Sequence, residues 1–298
     1  MTDNKDRFIF SGAATALITP FSGGEPDLPA IGRLIEYQIS EGIDALVIGG
    51  TTGEISTLSD AERERLYNYC AETVRGRVPL IYGAGSNDTE RACRYADSAR
   101  RCGADAVLVV SPYYNKGTDE GLERHFLKIA DAGRLPVMLY NIPGRTGVNL
   151  TVEKLSRLSE HPNIRALKEA HDSAERLADI FSSCPRLAVY AGNDGQIIPT
   201  LALGGEGVVS VVSNIYPRTI HDICKLFYTN IAESRRLQLS LIPLIRALFR
   251  ETNPAPVKYA ASLMFGTSPE CRLPLGDIRP ELKCALRELV GSERPDRV

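Results

Sequence analysis

Residues 106–141 read AVLVVSPYYNKGTDEGLERHFLKIADAGRLPVMLYN, and this stretch decides the fold class. It opens at 106–110 with a short apolar run rich in β-branched residues, which predicts a buried strand. A helical pattern follows at 119–132 and begins with an aspartate, a residue that caps helix N-termini well. A second apolar run at 136–141 predicts another strand. The stretch therefore predicts a strand–helix–strand unit with parallel strands.

The same alternation extends over most of the chain. Apolar runs predict eight strands, at 14–19, 43–48, 79–83, 106–110, 136–141, 164–168, 187–191 and 207–211. Helical patterns lie between them, and those at 60–74, 88–101 and 119–132 each open with Asp as the predicted N-cap. Eight repeats in about 220 residues indicate an α/β fold of the (β/α)8 TIM barrel type. An open doubly wound sheet is the alternative, but its Gly-rich loop is missing after the first run, where Thr19-Pro20-Phe21 stands.

About 80 residues remain after the eighth predicted strand. They contain helical patterns at 232–249, 256–263 and 279–289. We predict that residues 1–228 form the barrel with the active site, and that residues 229–298 form a three-helix extension packed on it.

The composition excludes several classes of protein. The formal net charge of −2 does not suit a nucleic-acid binder, which is normally distinctly basic. No apolar run approaches the roughly 20 residues that cross a bilayer, and residues 1–7 are polar, so we expect neither a membrane anchor nor a signal peptide. Seven cysteines without a C-x-x-C pair predict reduced thiols in the cytoplasm. Four histidines without ligand spacing predict no metal site.

Lys168 ends the sixth predicted strand and is the candidate nucleophile. Ile164, Ala166 and Lys168 alternate along the strand, so that Lys168 faces the barrel interior if Ala166 does. Burial among apolar neighbours lowers the pKa of a lysine and leaves a free amine near neutral pH. A lone lysine at a strand end would more often point to solvent.

Further candidate residues lie at, or directly after, the same ends of neighbouring strands. Each of them has an ordinary structural explanation when it is taken alone, such as a tight turn, rim packing or a solvated cation. Together they supply proton carriers and a carboxylate binder on the barrel face where active sites form. We therefore predict Schiff-base chemistry on a keto acid. The residues are Thr51, Thr52, Tyr113, Tyr114, Tyr140, Arg145 and Gly192.

These segments, in this order, resemble the dihydrodipicolinate synthase family, one branch of the pyruvate-dependent lyases that include N-acetylneuraminate lyase. The resemblance runs over nearly the whole chain. The doubled Thr51-Thr52, the turn around Arg145 and two C-terminal segments, 253–258 and 272–274, are similar to the synthase branch in particular.

The resemblance implies a role for each candidate residue. Lys168 would form an imine with pyruvate, and Tyr140 would pass protons in a relay with Thr52 and with Tyr114 from a neighbouring subunit. Thr51 and Thr52 would hold the pyruvate carboxylate, and Arg145 would receive the carboxylate of L-aspartate 4-semialdehyde. The resemblance further implies that Gly192 and Val209 line the site through backbone groups. It implies no metal or organic cofactor beyond the covalent imine.

The implied reaction is the first committed step of diaminopimelate and lysine biosynthesis, catalysed by a homo-oligomer that is a dimer or a dimer of dimers. The alternative is a related aldolase acting on a sugar acid, which would need polar or acidic side chains where Arg145 stands. A barrel without activity is a third possibility, disfavoured because every relay residue is present.

Two positions depart from the family pattern. Relatives inhibited by lysine usually carry an acidic residue where Arg91 stands, among positions matching Ile55, Ser56, Asp60, Arg63, Asn87 and Tyr113. An arginine would repel the lysine ammonium, so we expect weak or absent feedback inhibition. The second departure is His171, which follows the nucleophile where small residues are usual and would alter the rim of the pocket.

Overall fold

The computed structural model describes residues 8–292 and contains a closed barrel of eight parallel strands. The polar start at 1–7, on which the prediction about a signal peptide rests, lies outside the described residues, as do residues 293–298. Each barrel strand pairs with its neighbours along the chain, and the first pairs with the eighth. The strands are Gly12–Ala16, Ala45–Ile48, Leu80–Gly83, Ala106–Val110, Val137–Asn141, Ile164–Glu169, Ala188–Ala191 and Gly207–Ser210.

The TIM-barrel prediction is confirmed, and only the first strand is displaced noticeably. It spans Gly12–Ala16 rather than 14–19. The chain leaves the barrel before Pro20, which has no N–H to donate to a neighbouring strand. It then forms a small antiparallel pair between Phe21–Ser22 and Glu25–Pro26.

Helices cover the outside of the barrel between successive strands. Two N-cap predictions are wrong, because Ser59 and Thr118 cap their helices while Asp60 and Asp119 lie in the first turn. Each hydroxyl accepts a hydrogen bond from a backbone N–H of the first turn. The negative charges of the two aspartates in that turn interact favourably with the positive end of the helix dipole. Asp88 is an N-cap as predicted. The helices are Leu28–Ser40, Asp60–Val74, Thr89–Arg101, Asp119–Gly133, Pro143–Thr146, Val152–Leu158, Ala174–Ser183, Ile197–Ala202 and Pro217–Leu226, with short 3-10 turns at Ile55–Thr57, Asp194–Gln196 and Val212–Asn214.

The C-terminal prediction of three helices is wrong, since four helices follow the barrel within residues 229–292. The predicted helix at 232–249 is broken near Pro243, which lies in the first turn of the second piece. A proline inside a helix lacks the N–H that the preceding turn needs, so the chain starts a new helix there. The helices are Ile231–Ser240, Ile242–Leu248, Ala255–Phe265 and Pro280–Ser292. No helix within residues 8–292 is long and apolar enough to cross a membrane.

A β-bulge in the sixth strand changes which of its side chains point into the barrel and which point outward. Val137 pairs with Ile164, yet the next residue, Met138, pairs with Ala166, so Arg165 is an extra residue in a β-bulge. Ile164 consequently packs outward against the helices, whereas Ala166 packs inside the barrel. The prediction that Ile164 shares a face with Ala166 is wrong for this reason.

Candidate active site

Lys168 stands between two tyrosines in the barrel interior. Lys168 pairs in register with Tyr140 on the fifth strand and with Tyr190 on the seventh. Paired residues of parallel strands face the same way, so all three side chains point inward, as the prediction from Ala166 required. The Lys168 Nζ lies 4.3 Å from the centroid of the Tyr140 ring.

Burial makes this lysine a usable nucleophile. The side chain is only 5% exposed. Burial lowers the pKa of Lys168 to about 8, the nearby Asp194 carboxylate partly opposes this, and the Arg145 cation lowers the pKa further. Near neutral pH a useful fraction of the amine is therefore unprotonated.

Tyr140 keeps its proton at neutral pH. Burial raises the pKa of Tyr140 above its ordinary value, while the positive charge of Arg145 acts in the opposite direction. A neutral phenol can donate one hydrogen bond and accept another. Tyr140 is thus suited to carry a proton to or from groups beside Lys168.

A cavity of about 190 Å³ opens at this end of the barrel. It brings together residues from the turns after the second, fourth and fifth strands, which are distant in sequence. Its polar lining includes Thr51, Ser56, Tyr113, Tyr140, Arg145 and Thr146. This arrangement supplies hydroxyl groups and one cation for a small anionic ligand.

A wider groove of about 670 Å³ adjoins the cavity, and Ile142 and Arg145 line both spaces. Asp194 and His171 also line the groove, which fits the prediction that His171 lies on the rim of the pocket. The His171 Nδ1 accepts the N–H of Ser173 at 3.1 Å. Arg145 thus stands where a second carboxylate could meet a ligand held near Lys168.

The two adjacent threonines have different environments. Thr51 lines the smaller cavity. Thr52 is 4% exposed, and its Oγ1 accepts a hydrogen bond from Asn253 Nδ2 at 2.9 Å. The main-chain oxygen of Asn253 in turn accepts from Arg145 Nη2, also at 2.9 Å.

Gly192 directly follows the seventh strand, and Val209 is the third residue of the eighth strand. The Gly192 N–H donates to Glu169 O at 2.7 Å, so it is already committed to the fold. A β-carbon at Gly192 would lie 2.8 Å from that oxygen and from Ala170 Cβ, a contact that only glycine avoids. Val209 is fully buried in the barrel interior.

Tyr114 does not join the other predicted residues within the single chain. Its side chain is 91% exposed, and its backbone has a φ of +72°, which is unusual for a tyrosine. Its neighbour Tyr113 lines the cavity instead.

Two residues near the predicted ones were given no role from the sequence. Asp194 is 1% exposed and accepts hydrogen bonds from Ser210 Oγ and from the Val211 N–H. Burial raises the pKa of its carboxyl, while these hydrogen bonds lower it. Asn253 is the other. Asp194 follows the seventh strand, and Asn253 opens the segment 253–258 that resembles the synthase branch. The contact between Asn253 and Thr52, which are 201 residues apart, leaves no signal in the sequence.

Comparison with known proteins identifies the family of the chain. The sequence model of the dihydrodipicolinate synthetase family matches residues 9–292. The chain belongs to this family. A 4-hydroxy-tetrahydrodipicolinate synthase of Acetivibrio thermocellus is 48% identical over 91% of this chain and 92% of its own length.

Solved structures agree with this membership. A dihydrodipicolinate synthase of Thermotoga maritima is 40% identical and superposes with a TM-score of 0.93 over 95% of this chain and 98% of its own. The enzyme of Cyanidioschyzon merolae, solved with lysine bound, is 39% identical with a TM-score of 0.90 over 95% of this chain and 99% of its own. The resemblance predicted from the sequence is thereby confirmed at the level of the family.

Proposed function

We propose that the protein condenses pyruvate with L-aspartate 4-semialdehyde to give 4-hydroxy-tetrahydrodipicolinate, the first committed step of diaminopimelate and lysine biosynthesis. The observation that carries the proposal is Lys168, a buried amine with a lowered pKa beside Tyr140 at the active face of the barrel. Relatives that cover nine-tenths of the chain bear the name of this enzyme.

The first half of the reaction is formation of the imine. The unprotonated Lys168 amine attacks the keto carbon of pyruvate, and loss of water leaves a protonated imine. Tyr140, as a neutral phenol, passes the proton that converts the departing hydroxyl into water. This imine withdraws electrons, so a methyl proton can leave and give an enamine. We propose that the reaction needs no metal or organic cofactor.

The second half joins the two substrates. The enamine carbon attacks the aldehyde of L-aspartate 4-semialdehyde, forming one carbon–carbon bond and a hydroxyl group. The amino group of the semialdehyde then attacks the imine carbon, closes the ring and releases the Lys168 amine. The enzyme returns to its starting state, and one water molecule is lost overall.

The two substrates each carry a carboxylate, and we propose different residues to bind each of them. We propose that Thr51 and Thr52 hold the carboxylate of pyruvate. We also propose that Gly192 and Val209 line the site through backbone groups other than the Gly192 N–H, which is bonded to Glu169 O. Arg145 borders both the cavity and the groove, and a guanidinium matches a carboxylate in geometry and charge. We propose that it receives the carboxylate of the semialdehyde.

The proton relay requires a second protein chain in this proposal. Tyr114 is exposed and held away from the cavity of its own chain, which suits a role in the site of a neighbour. We therefore propose a homo-oligomer, a dimer or a dimer of dimers. Tyr114→Phe and Lys168→Ala should each be inactive alone, whereas mixed oligomers should recover activity through sites that contain both native residues. Absence of recovery in verified mixed oligomers would exclude a shared site.

The threonine of the relay can be assigned by substitution. Thr52 is the predicted member, but Thr51 lines the same cavity as Tyr140, while the Thr52 hydroxyl is engaged by Asn253. Thr51→Val and Thr52→Val each remove one hydroxyl with little change in shape. The relay member should lose mainly kcat, whereas a residue that only binds the carboxylate should mainly raise KM for pyruvate.

The reaction itself is tested by trapping and by substrate choice. Borohydride with pyruvate should add one reduced pyruvate to the native protein at Lys168 and none to Lys168→Ala. Turnover should require L-aspartate 4-semialdehyde and should not occur with N-acetylmannosamine or glyceraldehyde. Trapping combined with turnover of a sugar aldehyde would keep the imine and replace the proposed substrate with a sugar acid.

A further inference from the structure

Asn253 connects two parts of the site through different atoms. Its side-chain Nδ2 donates to Thr52 Oγ1, and its main-chain oxygen accepts from Arg145 Nη2, both at 2.9 Å. The residue is 6% exposed and lies just before the helix Ala255–Phe265. One residue outside the barrel therefore contacts a side chain proposed for each substrate.

The direction of the first hydrogen bond constrains the Thr52 hydroxyl. An amide nitrogen can only donate, so the Thr52 oxygen is the acceptor and its own hydrogen is left to donate elsewhere. A carboxylate only accepts. We propose that Asn253 is a positioning residue, which orients the Thr52 hydroxyl so that it donates to the pyruvate carboxylate. This inference rests on the proposed function.

The surroundings hold Asn253 in place. Two residues after Thr52, the buried carboxylate of Glu54 forms an ion pair with Lys258, with 2.6 Å between Nζ and Oε1. The other oxygen of Glu54 accepts the N–H of Arg272 at 2.9 Å. The turn that carries Thr52 is thus tied to the C-terminal segment at two further points, which keep the segment that carries Asn253 close to Thr52.

The two contacts of Asn253 can be separated experimentally. A side-chain substitution removes the donor to Thr52 but keeps the main-chain oxygen that holds Arg145. A role in orienting Thr52 therefore predicts a loss in kcat/KM for pyruvate that exceeds the loss for the aldehyde. A general loss of packing would lower both values alike.

The test is a double-mutant cycle between Asn253→Leu and Thr52→Val, read as kcat/KM for pyruvate. Asn253→Leu should lower this value by about tenfold or more in the native background, because a buried hydrogen bond is lost. The same substitution should cost about twofold or less once Thr52→Val has removed the hydroxyl that Asn253 orients. An equal loss in both backgrounds, or native kcat/KM in Asn253→Leu, would overturn the inference.

Two further variants complete the test. Asn163→Leu is the control, since Asn163 Nδ2 donates to Ala130 O at the start of the sixth strand, the end opposite to Lys168. Both kcat/KM values should stay native in this variant. If Asn253→Leu does not fold, Asn253→Asp carries the same test because a carboxylate keeps the shape but cannot donate. Native kcat/KM for pyruvate in Asn253→Asp would refute positioning.

The same experiments separate the two proposals. A native protein that is not labelled by borohydride and pyruvate would remove the proposed function, and with it the basis for the role of Asn253. A native protein that is labelled and turns over, with Asn253→Leu equally active at subsaturating pyruvate, would remove only the inference about Asn253.

Discussion

Replacing the nucleophile with an apolar residue should make the protein more stable. Lys168 is nearly fully buried, and burial lowers the pKa of its amine from 10.5 to about 8. At about 1.4 kcal/mol for each pH unit, this corresponds to roughly 3 kcal/mol of unfavourable free energy for holding the protonated amine in the folded chain. Lys168→Met removes that amine and retains an unbranched apolar side chain of similar length.

The pH dependence of this stability gain follows from the linkage between protonation of Lys168 and folding. Below about pH 8 the lysine is protonated in both the folded and the unfolded chain, so the full unfavourable free energy is present. Between pH 8 and 10.5 Lys168 loses its proton in the folded chain but keeps it in the unfolded chain. The stability difference between Lys168→Met and the native protein therefore decreases over this range. Lys168→Met should therefore exceed the native protein by roughly 3 kcal/mol at pH 7 and by almost nothing near pH 10.5.

Guanidinium denaturation of both proteins at a series of pH values measures the difference. Lys258→Met is the matched control, because Lys258 is equally buried but its charge is paired with Glu54. Removing one partner of a buried ion pair leaves the other charge without compensation, and we expect a loss of about 3–5 kcal/mol. The two substitutions should thus change stability in opposite directions.

The reasoning is refuted if Lys168→Met is no more stable than the native protein at pH 7. A stability gain that does not change between pH 7 and 10.5 would also refute it, because the gain would then come from packing and not from the buried charge.

Three further predictions follow from charges on the structure. The kcat/KM for pyruvate should rise by about tenfold for each pH unit up to about pH 8 and then level off, because only the unprotonated Lys168 attacks; a flat profile between pH 6 and 8 would contradict the lowered pKa. Millimolar lysine should inhibit weakly because Arg91 is cationic, and Arg91→Glu should increase the inhibition; strong inhibition of the native enzyme would contradict this. The hydrogen bond from Arg272 lowers the pKa of Glu62 to about 2, so its stabilisation is present above about pH 4.5 and is lost as the pH falls towards 2. Glu62→Gln should thus lower the free energy of unfolding by roughly 1–3 kcal/mol at pH 7, with a deficit that narrows in acid; a deficit that is constant with pH would argue against an ionic origin.

Patterns of local sequence were enough for the barrel. Eight apolar runs separated by helical patterns predicted all eight strands, because strand and helix leave different periods in the sequence. The break at Pro243 could also have been predicted, since the ring excludes a continuous helix. The bulge at Arg165 left no comparable signal in the sequence. The pairing register of the sixth strand depends on its contacts with the fifth strand, which local sequence does not contain.

The candidate site was predicted in part for the same reason. Lys168 and Tyr140 lie at strand ends and Thr51 follows one, and parallel strands of a barrel all end at one face. Which hydroxyl borders the cavity and which is buried cannot be read from the pair Thr51-Thr52, because both are threonines in one turn.

The sequence alone determined the class of fold, the family and the residue types able to carry the chemistry, because these depend on periodicity and on motifs a few residues long. The tertiary structure decided the contact between Asn253 and Thr52, the outward turn of Ile164 and how far the pKa of Lys168 is lowered. Each of these depends on groups brought together from distant parts of the chain. Desolvation and hydrogen-bond direction are properties of that assembled environment, and no local stretch of sequence contains them.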